Sequence, residues 1–171
     1  YPCWVYGEGD QTFVPLLADA IVKRELIFWR KDVIVWPTYV HNLIDLLLLI
    51  AVDKRAIGNG YLVHDGECVT LQKFCEGIAN TLGVKPVTTH IPYWVAYAAA
   101  VVMEFLWKTL NIEKRPLLTT YTVKNLGSRL QFSIDKAKRE LGWTPKISFQ
   151  EGFARTMDWL KTLGIVSLKT K

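Results

Sequence analysis

The side chains of His41 and Asp45 are spaced for acid–base chemistry. They lie four positions apart in a stretch that reads as a helix, so both fall on one helix face. A carboxylate placed there would orient the imidazole for proton transfer. The simpler interpretation, which we favour, is that both side chains satisfy polar needs at the start of a buried helix.

Two glycine pairs are the candidates for a phosphate-binding loop in this sequence. Such a loop needs glycines at a helix N-terminus, so that backbone N–H groups approach a pyrophosphate. Residues 7–9 lead to Thr12 where a third glycine should be, and residues 58–60 lead to Val63. Neither pair begins a helix after a buried strand. Both are therefore predicted to be plain turns.

The three cysteines have no metal-binding spacing. Cys3, Cys68 and Cys75 form no C-x-x-C motif, and no two histidines lie one helix turn apart. They are interpreted as reduced structural thiols in a reducing compartment. The sequence therefore predicts no metal site and a cytoplasmic protein.

Composition indicates one ordinary domain with a large apolar content. The chain has 171 residues, a formal net charge of +5 and 50% hydrophobic residues. Its lysines and arginines are dispersed and do not alternate with aromatic residues, which argues against nucleic-acid binding. The hydrophobic surplus suggests that part of the apolar surface packs against something outside this sequence.

Hydrophobic periodicity predicts helices separated by short strands. The stretch 40–52 is apolar around most of its circumference, so this helix is expected to be buried. The runs 26–29 and 33–36 flank the polar residues 30–32 and suggest a hairpin. Other strands are predicted at 1–6, 61–66 and 87–90, and other helices at 12–24, 70–83, 92–110 and 134–142, with a last helix that Ser148 and Glu151 open as a capping box.

This alternation indicates α/β layering. The strands are few and short for so much helix, so a sheet of this size would leave a face or an edge bare. We therefore expect the rest of the sheet to come from sequence upstream of Tyr1.

Four motifs, in the expected order, resemble the extended short-chain dehydrogenases/reductases. YPCWVYGEGD resembles the family's R-P-x-x-V-Y-G-P-G-D stretch, with Tyr1 in place of arginine and Glu8 in place of proline. The family's next strand and helix segments are similar to two stretches of this sequence, VIVWPTYVHNLIDLLLLIA and YLVHDGECVTLQKFCEGIANTLG. FSIDKAKRELGWTPKISFQEGFARTMDWL resembles its C-terminal signature, with Asp135 in place of the usual serine. The apolar stretch 91–127 most resembles the 3β-hydroxysteroid dehydrogenase and sterol-4α-carboxylate dehydrogenase branch.

The resemblance implies the C-terminal half of one extended short-chain dehydrogenase/reductase domain. Residues 1–11 and 33–83 would form the last strands of an NAD(P)-binding Rossmann fold. Residues 12–32 and 84–163 would form a small, mostly helical substrate-binding subdomain, followed by a tail at 164–171. NAD or NADP would be bound mainly by the N-terminal half that is missing from this sequence. That half carries the family's glycine-rich loop and Tyr-x-x-x-Lys pair, and here no tyrosine has a lysine four residues later. We expect the fragment to be inactive alone and assign no catalytic residue.

The resemblance also implies which residues lie near the ligands. The segment after the sixth Rossmann strand would place four residues beside the nicotinamide, mostly through backbone atoms: Pro2, Cys3, Trp4 and Val5. The alternative is that Cys3 and Val5 are ordinary core residues. Six side chains would rim the substrate pocket: Tyr6, Asp10, Phe13, Trp36, Tyr39 and His41. An apolar rim with a few polar groups suits a sterol-like or prenyl-like small molecule.

Three functional hypotheses remain open. The first is the substrate-binding part of an NAD(P)-dependent oxidoreductase acting on an apolar secondary alcohol or ketone. The second is a nucleotide-sugar epimerase or dehydratase of the same fold, which would need basic groups at a diphosphate; Lys124 and Arg129 align poorly with such a role and read as surface residues. The third is a non-catalytic module that binds a membrane surface or a partner.

The apolar helix over 91–110 has three interpretations. It is short of the ~20 apolar residues that a spanning helix needs, but its aromatic ends are compatible with peripheral membrane contact. The alternatives are a cover over the substrate pocket and the seam of a homodimer, a state that the family frequently adopts.

Overall fold

The chain forms short strands packed against helices. The computed structural model describes residues 1–29, 33–110, 112, 118–127 and 130–164. Within these ranges lie the strands β1 (Trp4–Tyr6), β2 (Ile34–Val35), β3 (Pro37–Tyr39) and β4 (Val69–Thr70), and the helices α1 (Phe13–Lys23), α2 (Val40–Val52), α3 (Leu71–Thr81), α4 (Tyr93–Thr109), α5 (Thr120–Gly127), α6 (Asp135–Leu141) and α7 (Phe149–Thr162). A 3₁₀ turn at Lys54–Ala56 follows α2.

The central pairing is parallel. β1 runs beside β3 in a register that sets Trp4 opposite Pro37 and Tyr6 opposite Tyr39. On its other side, the start of the chain forms a parallel bridge between Pro2 and Val63, where the Cys3 N–H donates to the Val63 carbonyl at 3.2 Å. The predicted strand over 61–66 is thus present only as an extended segment with a bridge. Parallel pairing needs crossover connections, which α1 and α2 supply.

The predicted hairpin is wrong in its pairing. β2, in the run 33–36, pairs antiparallel with β4, so that Ile34 faces Thr70. Phe28, in the run 26–29, instead forms a parallel bridge with His90, which lies in the predicted strand over 87–90. A local sequence pattern indicates that a segment forms a strand, but tertiary packing determines which other strand it pairs with. The predicted turn, residues 30–32, lies outside the described residues.

The predicted helix boundaries agree closely with the structure. Thr70 caps α3 by accepting the Lys73 N–H at 3.2 Å, and Ser148 caps α7 by accepting the Glu151 N–H at the same distance. Gly142 ends α6 in the left-handed conformation, as its position after the apolar stripe predicted. α5 was not predicted, because its eight residues carry little apolar periodicity.

α2 has the predicted bounds but not the predicted burial. Only Asn42 and Leu46 are buried along it, whereas Leu48 is 67% exposed and Val52 is 80% exposed. One side of α2 packs on β3 and on the cluster that contains Trp143. The other apolar side chains of α2 are more exposed in this chain, so the prediction of a buried helix over 40–52 was wrong.

The main hydrophobic core lies where β1, β3, α1, α3 and α7 meet. Its largest fully buried side chains are Tyr6, Tyr39 and Phe74. α4 and α5 form a separate small cluster around Ala96, Ala100 and Val123. Among the described helices, none is long and apolar enough to cross a membrane.

Candidate functional site

A cavity opens where the two parallel strands end. β1 and β3 finish side by side at Tyr6 and Tyr39, and the chain then enters the 7–10 loop and α2. The cavity has a volume of about 210 Å³ and is lined by Val5, Tyr6, Gly7, Glu8, Gly9, Asp10, Thr12 and Val40. We call it the β1–β3 cavity. Ligands of α/β proteins bind outside the carboxyl ends of parallel strands, so this is the candidate site.

The 7–10 loop has a fixed backbone. Gly7 has a φ of +151°, and a Cβ there would lie 2.4 Å from Cγ1 of Val40, so only glycine fits. The carboxylate of Asp10 accepts the backbone N–H groups that begin α1, at 2.8 Å from Thr12, 3.0 Å from Phe13 and 2.7 Å from Val14. Asp10 therefore anchors the loop to the N-terminus of α1.

The two tyrosine hydroxyls below the cavity are both bonded to carboxylates. Tyr6 is 1% exposed and donates to Oδ2 of Asp65 at 2.9 Å, and burial together with Asp65 raises the pKa of Tyr6 far above its usual range. Tyr39 donates to both Glu8 oxygens, at 2.9 and 2.8 Å. Burial, reinforced by Glu8, raises the pKa of Tyr39 to about 12. Both phenols are therefore neutral hydrogen-bond donors at neutral pH.

Asp65 is the buried polar centre that the sequence did not reveal. Its carboxylate accepts the Tyr39 N–H at 2.8 Å and the Asn42 amide at 2.9 Å, in addition to the Tyr6 hydroxyl. Asn42 extends the network by donating to the Ile147 carbonyl at 2.8 Å. Burial raises the pKa of Asp65, although these three donors favour its ionised form. The sequence signal is the polar pair His64-Asp65 near the end of the strand predicted over 61–66, a pattern that does not by itself predict a buried polar centre.

His64 is held as a neutral imidazole. Its Nδ1 accepts the Gly66 N–H at 3.0 Å, and Nε2 lies 3.2 Å from the Phe132 carbonyl, so the hydrogen bonds assign the proton to Nε2. The ring also packs against Trp36, with centroids 4.5 Å apart. Burial lowers the pKa of His64, because the charged form loses solvation.

We therefore expect the protein to lose stability as the pH falls through about 6.5, the ordinary histidine value. Below that pH the unfolded chain takes up a proton at residue 64 more readily than the folded chain does. Urea unfolding at pH 7.5 and pH 5.5 measures the loss, and His64→Asn, which keeps an acceptor near Nδ1, should reduce it. His41→Asn removes an exposed imidazole and is the control. An equal pH dependence in wild type and His64→Asn would contradict the assignment.

The residues predicted to lie near the cofactor form the β1 segment. Pro2 is exposed, while Cys3, Trp4 and Val5 are half-buried. The Trp4 N–H donates to the Trp36 carbonyl at 3.1 Å, so this backbone is held by its neighbours. Burial raises the pKa of the Cys3 thiol. Contact of these residues with a cofactor stays a prediction.

The residues predicted to rim the substrate pocket divide into two places. Tyr6 and Asp10 line the β1–β3 cavity, and Tyr39 lies buried beside it. Phe13 packs edge-on against Trp4 with ring centroids 5.1 Å apart. Trp36 lies with Trp4 along a narrower indentation near Phe132, and its Nε1 donates to the Leu130 carbonyl at 2.9 Å. Which of these side chains contact a substrate stays a prediction.

His41 and Asp45 have different surroundings from those expected. Asp45 accepts from Nε1 of Trp143 at 2.9 Å and from the Lys146 ammonium. His41 is exposed, and its ring lies 5.2 Å from that of Tyr39. The simpler interpretation holds for Asp45, which accepts a hydrogen bond from a buried indole, but not for His41, which is exposed. The buried polar residue at the start of α2 is Asn42, between them in the sequence.

Sequence comparisons connect the chain to enzymes of one superfamily. No family model matches it. It is 29% identical over 160 residues to 2-alkyl-3-oxoalkanoate reductase of Shewanella oneidensis, covering 90% of this chain and 41% of the relative. It is 32% identical over 152 residues to a 4-hydroxy-2-methyl-3-oxo-4-farnesyl-3,4-dihydroquinoline-1-oxide ketoreductase of Stigmatella aurantiaca, covering 88% and 45%. It is 27% identical over 164 residues to sterol-4-alpha-carboxylate 3-dehydrogenase of Mus musculus, covering 91% and 45%.

The chain is similar to members of the extended short-chain dehydrogenase/reductase superfamily. It spans about half the length of the curated relatives it matches. Solved structures agree on the fold. An epimerase of Methanothermobacter thermautotrophicus matches with a TM-score of 0.66 at 18% identity, over 99% of this chain and 44% of that one. The Bordetella bronchiseptica enzyme WbmG, solved with NAD and UDP, matches with a TM-score of 0.60 at 13% identity, over 96% and 44%.

The fold of the chain is thus the C-terminal part of the Rossmann-type fold of these short-chain dehydrogenases/reductases. That assignment confirms the predicted fold class.

Proposed function

We propose that the chain is the substrate-binding part of an NAD(P)-dependent oxidoreductase that acts on a secondary alcohol or ketone of an apolar molecule. The observation that carries the proposal is the relationship to three enzymes whose names each specify a keto group or a 3-dehydrogenation on an alkyl, farnesyl or sterol skeleton. The aromatic surroundings of β1 support it, because Trp4, Phe13 and Trp36 offer apolar surface to such a skeleton.

The β1 segment fits a position beside the nicotinamide. Pro2 is exposed and the next three residues are half-buried, so the segment presents accessible apolar surface on a backbone held by hydrogen bonds to Val63 and Trp36. NAD(P), when bound, would supply the hydride donor or acceptor. In this proposal residues 1–11 and 33–83 support the cofactor side, and residues 12–32 and 84–163 hold the substrate. Together these two groups of residues would position the substrate and exclude water from it.

A nucleotide-sugar substrate is the main competitor. Its diphosphate would need convergent cations, which bind phosphate oxygens strongly. Among the described residues that line the β1–β3 cavity there is no lysine or arginine, and two of them are acidic. The residues of this chain therefore favour the apolar substrate over the nucleotide sugar.

The test is a steady-state assay of the protein made from the complete reading frame that contains this sequence. Apolar secondary alcohols and ketones, including sterols and 3-oxoalkanoyl compounds, are compared with UDP-sugars, with NAD(H) and NADP(H) in turn. We expect turnover of an apolar compound with one dinucleotide, followed at 340 nm. Preferential turnover of UDP-sugars would replace the proposal with the epimerase alternative. A folded protein that binds no dinucleotide would favour the non-catalytic module.

A further inference from the structure

We propose that Glu8 makes the β1–β3 cavity select uncharged ligands over anionic ones. The inference rests on the proposed function and narrows its substrate class: the part of the substrate that enters this cavity carries no carboxylate or phosphate. Glu8 stands where the R-P-x-x-V-Y-G-P-G-D pattern has proline, so the charge distinguishes this chain from that pattern.

The Glu8 carboxylate is fixed at the cavity. The Tyr39 hydroxyl lies within 2.9 Å of both of its oxygens, and Tyr39 is itself fully buried. A Cβ on Gly152 would lie 2.7 Å from Cγ of Tyr39, so α7 packs directly against the ring and leaves it little freedom to move. A carboxylate held by a rigid donor cannot turn away from an approaching ligand. Its charge therefore acts at one position in the site.

The groups around Glu8 leave the region negative. Asp10 is the second carboxylate of the lining, and the N-terminus of α1 offsets part of its charge. The Arg155 guanidinium is shared between the Tyr39 hydroxyl and Glu151, which it meets at 2.6 Å. Three carboxylates (Glu8, Asp10 and Glu151) against one guanidinium give a formal charge of −2.

This charge is large enough to affect selectivity. One unit charge about 6 Å from another costs about 0.7 kcal/mol at the dielectric constant of water and more in a partly enclosed site, which corresponds to about threefold to tenfold in affinity. The effect is screened by salt. Two of the relatives have names that specify a carboxylate substrate, the oxoalkanoate reductase and the sterol-4-alpha-carboxylate dehydrogenase. This chain is expected to differ from them in that respect.

The experiment compares two substrates on the complete protein: a neutral apolar secondary alcohol and the same alcohol bearing a carboxylate. The wild type should have the higher kcat/KM for the neutral compound. In Glu8→Gln, which keeps an oxygen acceptor for Tyr39, the ratio of kcat/KM for the carboxylate to kcat/KM for the neutral compound should rise about threefold to tenfold. Raising NaCl from 0.05 to 0.5 M should reduce the discrimination of the wild type.

Glu25→Gln is the matched control. It removes one negative charge just beyond the C-terminal end of α1, a helix about 16 Å long whose N-terminus is bonded to Asp10, and should leave the ratio of the two kcat/KM values unchanged. Equal kcat/KM values for both compounds in the wild type, or equal changes for both in Glu8→Gln, would overturn the inference while the proposed function stands. If neither compound is turned over, the proposed function fails. The affinities of the two compounds, measured by calorimetry, then test the charge preference. Tighter binding of the carboxylate would overturn the inference about Glu8.

Discussion

Replacing Asp65 with alanine is expected to destabilise the protein by about 3–5 kcal/mol, because it leaves several buried donors without an acceptor. The carboxylate receives the Tyr6 hydroxyl, the Tyr39 N–H and the Asn42 amide, and all four residues are buried. These donors belong to β1, β3 and α2. The loss is therefore expected across the whole cooperative transition rather than in one loop.

The loss is measured as the free energy of unfolding in urea at pH 7.5. Asp65→Asn keeps one acceptor oxygen and is expected to lose less, about 1–3 kcal/mol. Glu67→Ala, two residues away on the surface, is the control and should stay within about 0.5 kcal/mol of the wild type. An Asp65→Ala protein that keeps wild-type stability would show that the network contributes little.

Replacing Gly152 with alanine is expected to destabilise the protein by about 2–4 kcal/mol, because the core around it has no room for a methyl group. The added Cβ would lie 2.7 Å from Cγ of Tyr39 and 2.8 Å from the Tyr6 hydroxyl. Both rings are buried and hydrogen-bonded, so neither can move aside without losing its carboxylate. The gain in helix propensity, about 1 kcal/mol, is too small to compensate.

Gly77→Ala is the matched comparison, since it also adds a methyl group in the middle of a helix. Its Cβ would lie 2.6 Å from Cε1 and Cζ of Phe153, the far end of a side chain that is only half-buried, so this ring can shift more easily than that of Tyr39. We expect a change of less than about 1 kcal/mol, in either direction, from the balance of contact and propensity. Thermal unfolding of both variants tests the contrast. Equal Tm values for Gly152→Ala and Gly77→Ala would contradict it.

The helices could be predicted because their signals are local. α2 matches its predicted range, and α3 shows both its capping threonine and its apolar stripe in sequence. The strand pairings could not be predicted in the same way. The residues of β2 bond to a segment about 35 positions later, and no local pattern specifies which of several apolar runs lies beside another.

The candidate site was predictable only in part. The resemblance pointed to Tyr6 and Asp10, which do line the β1–β3 cavity. It could not indicate that the Tyr6 hydroxyl is bonded to Asp65, 59 residues away. The sequence indicates Asp65 only as part of the strand predicted over 61–66, because the donors that make it a buried centre come from three distant segments. Polar residues acquire such roles through tertiary contacts that hydrophobic periodicity does not record.

The position of α7 has a consequence for synthesis on the ribosome. The Tyr6 hydroxyl lies 3.4 Å from the Phe149 carbonyl, and the tyrosine pair is covered by Gly152, so residues made early are enclosed by residues made late. Until α7 has left the exit tunnel, the nascent chain must keep these aromatic rings uncovered, and chaperones would have their greatest opportunity to bind in that interval.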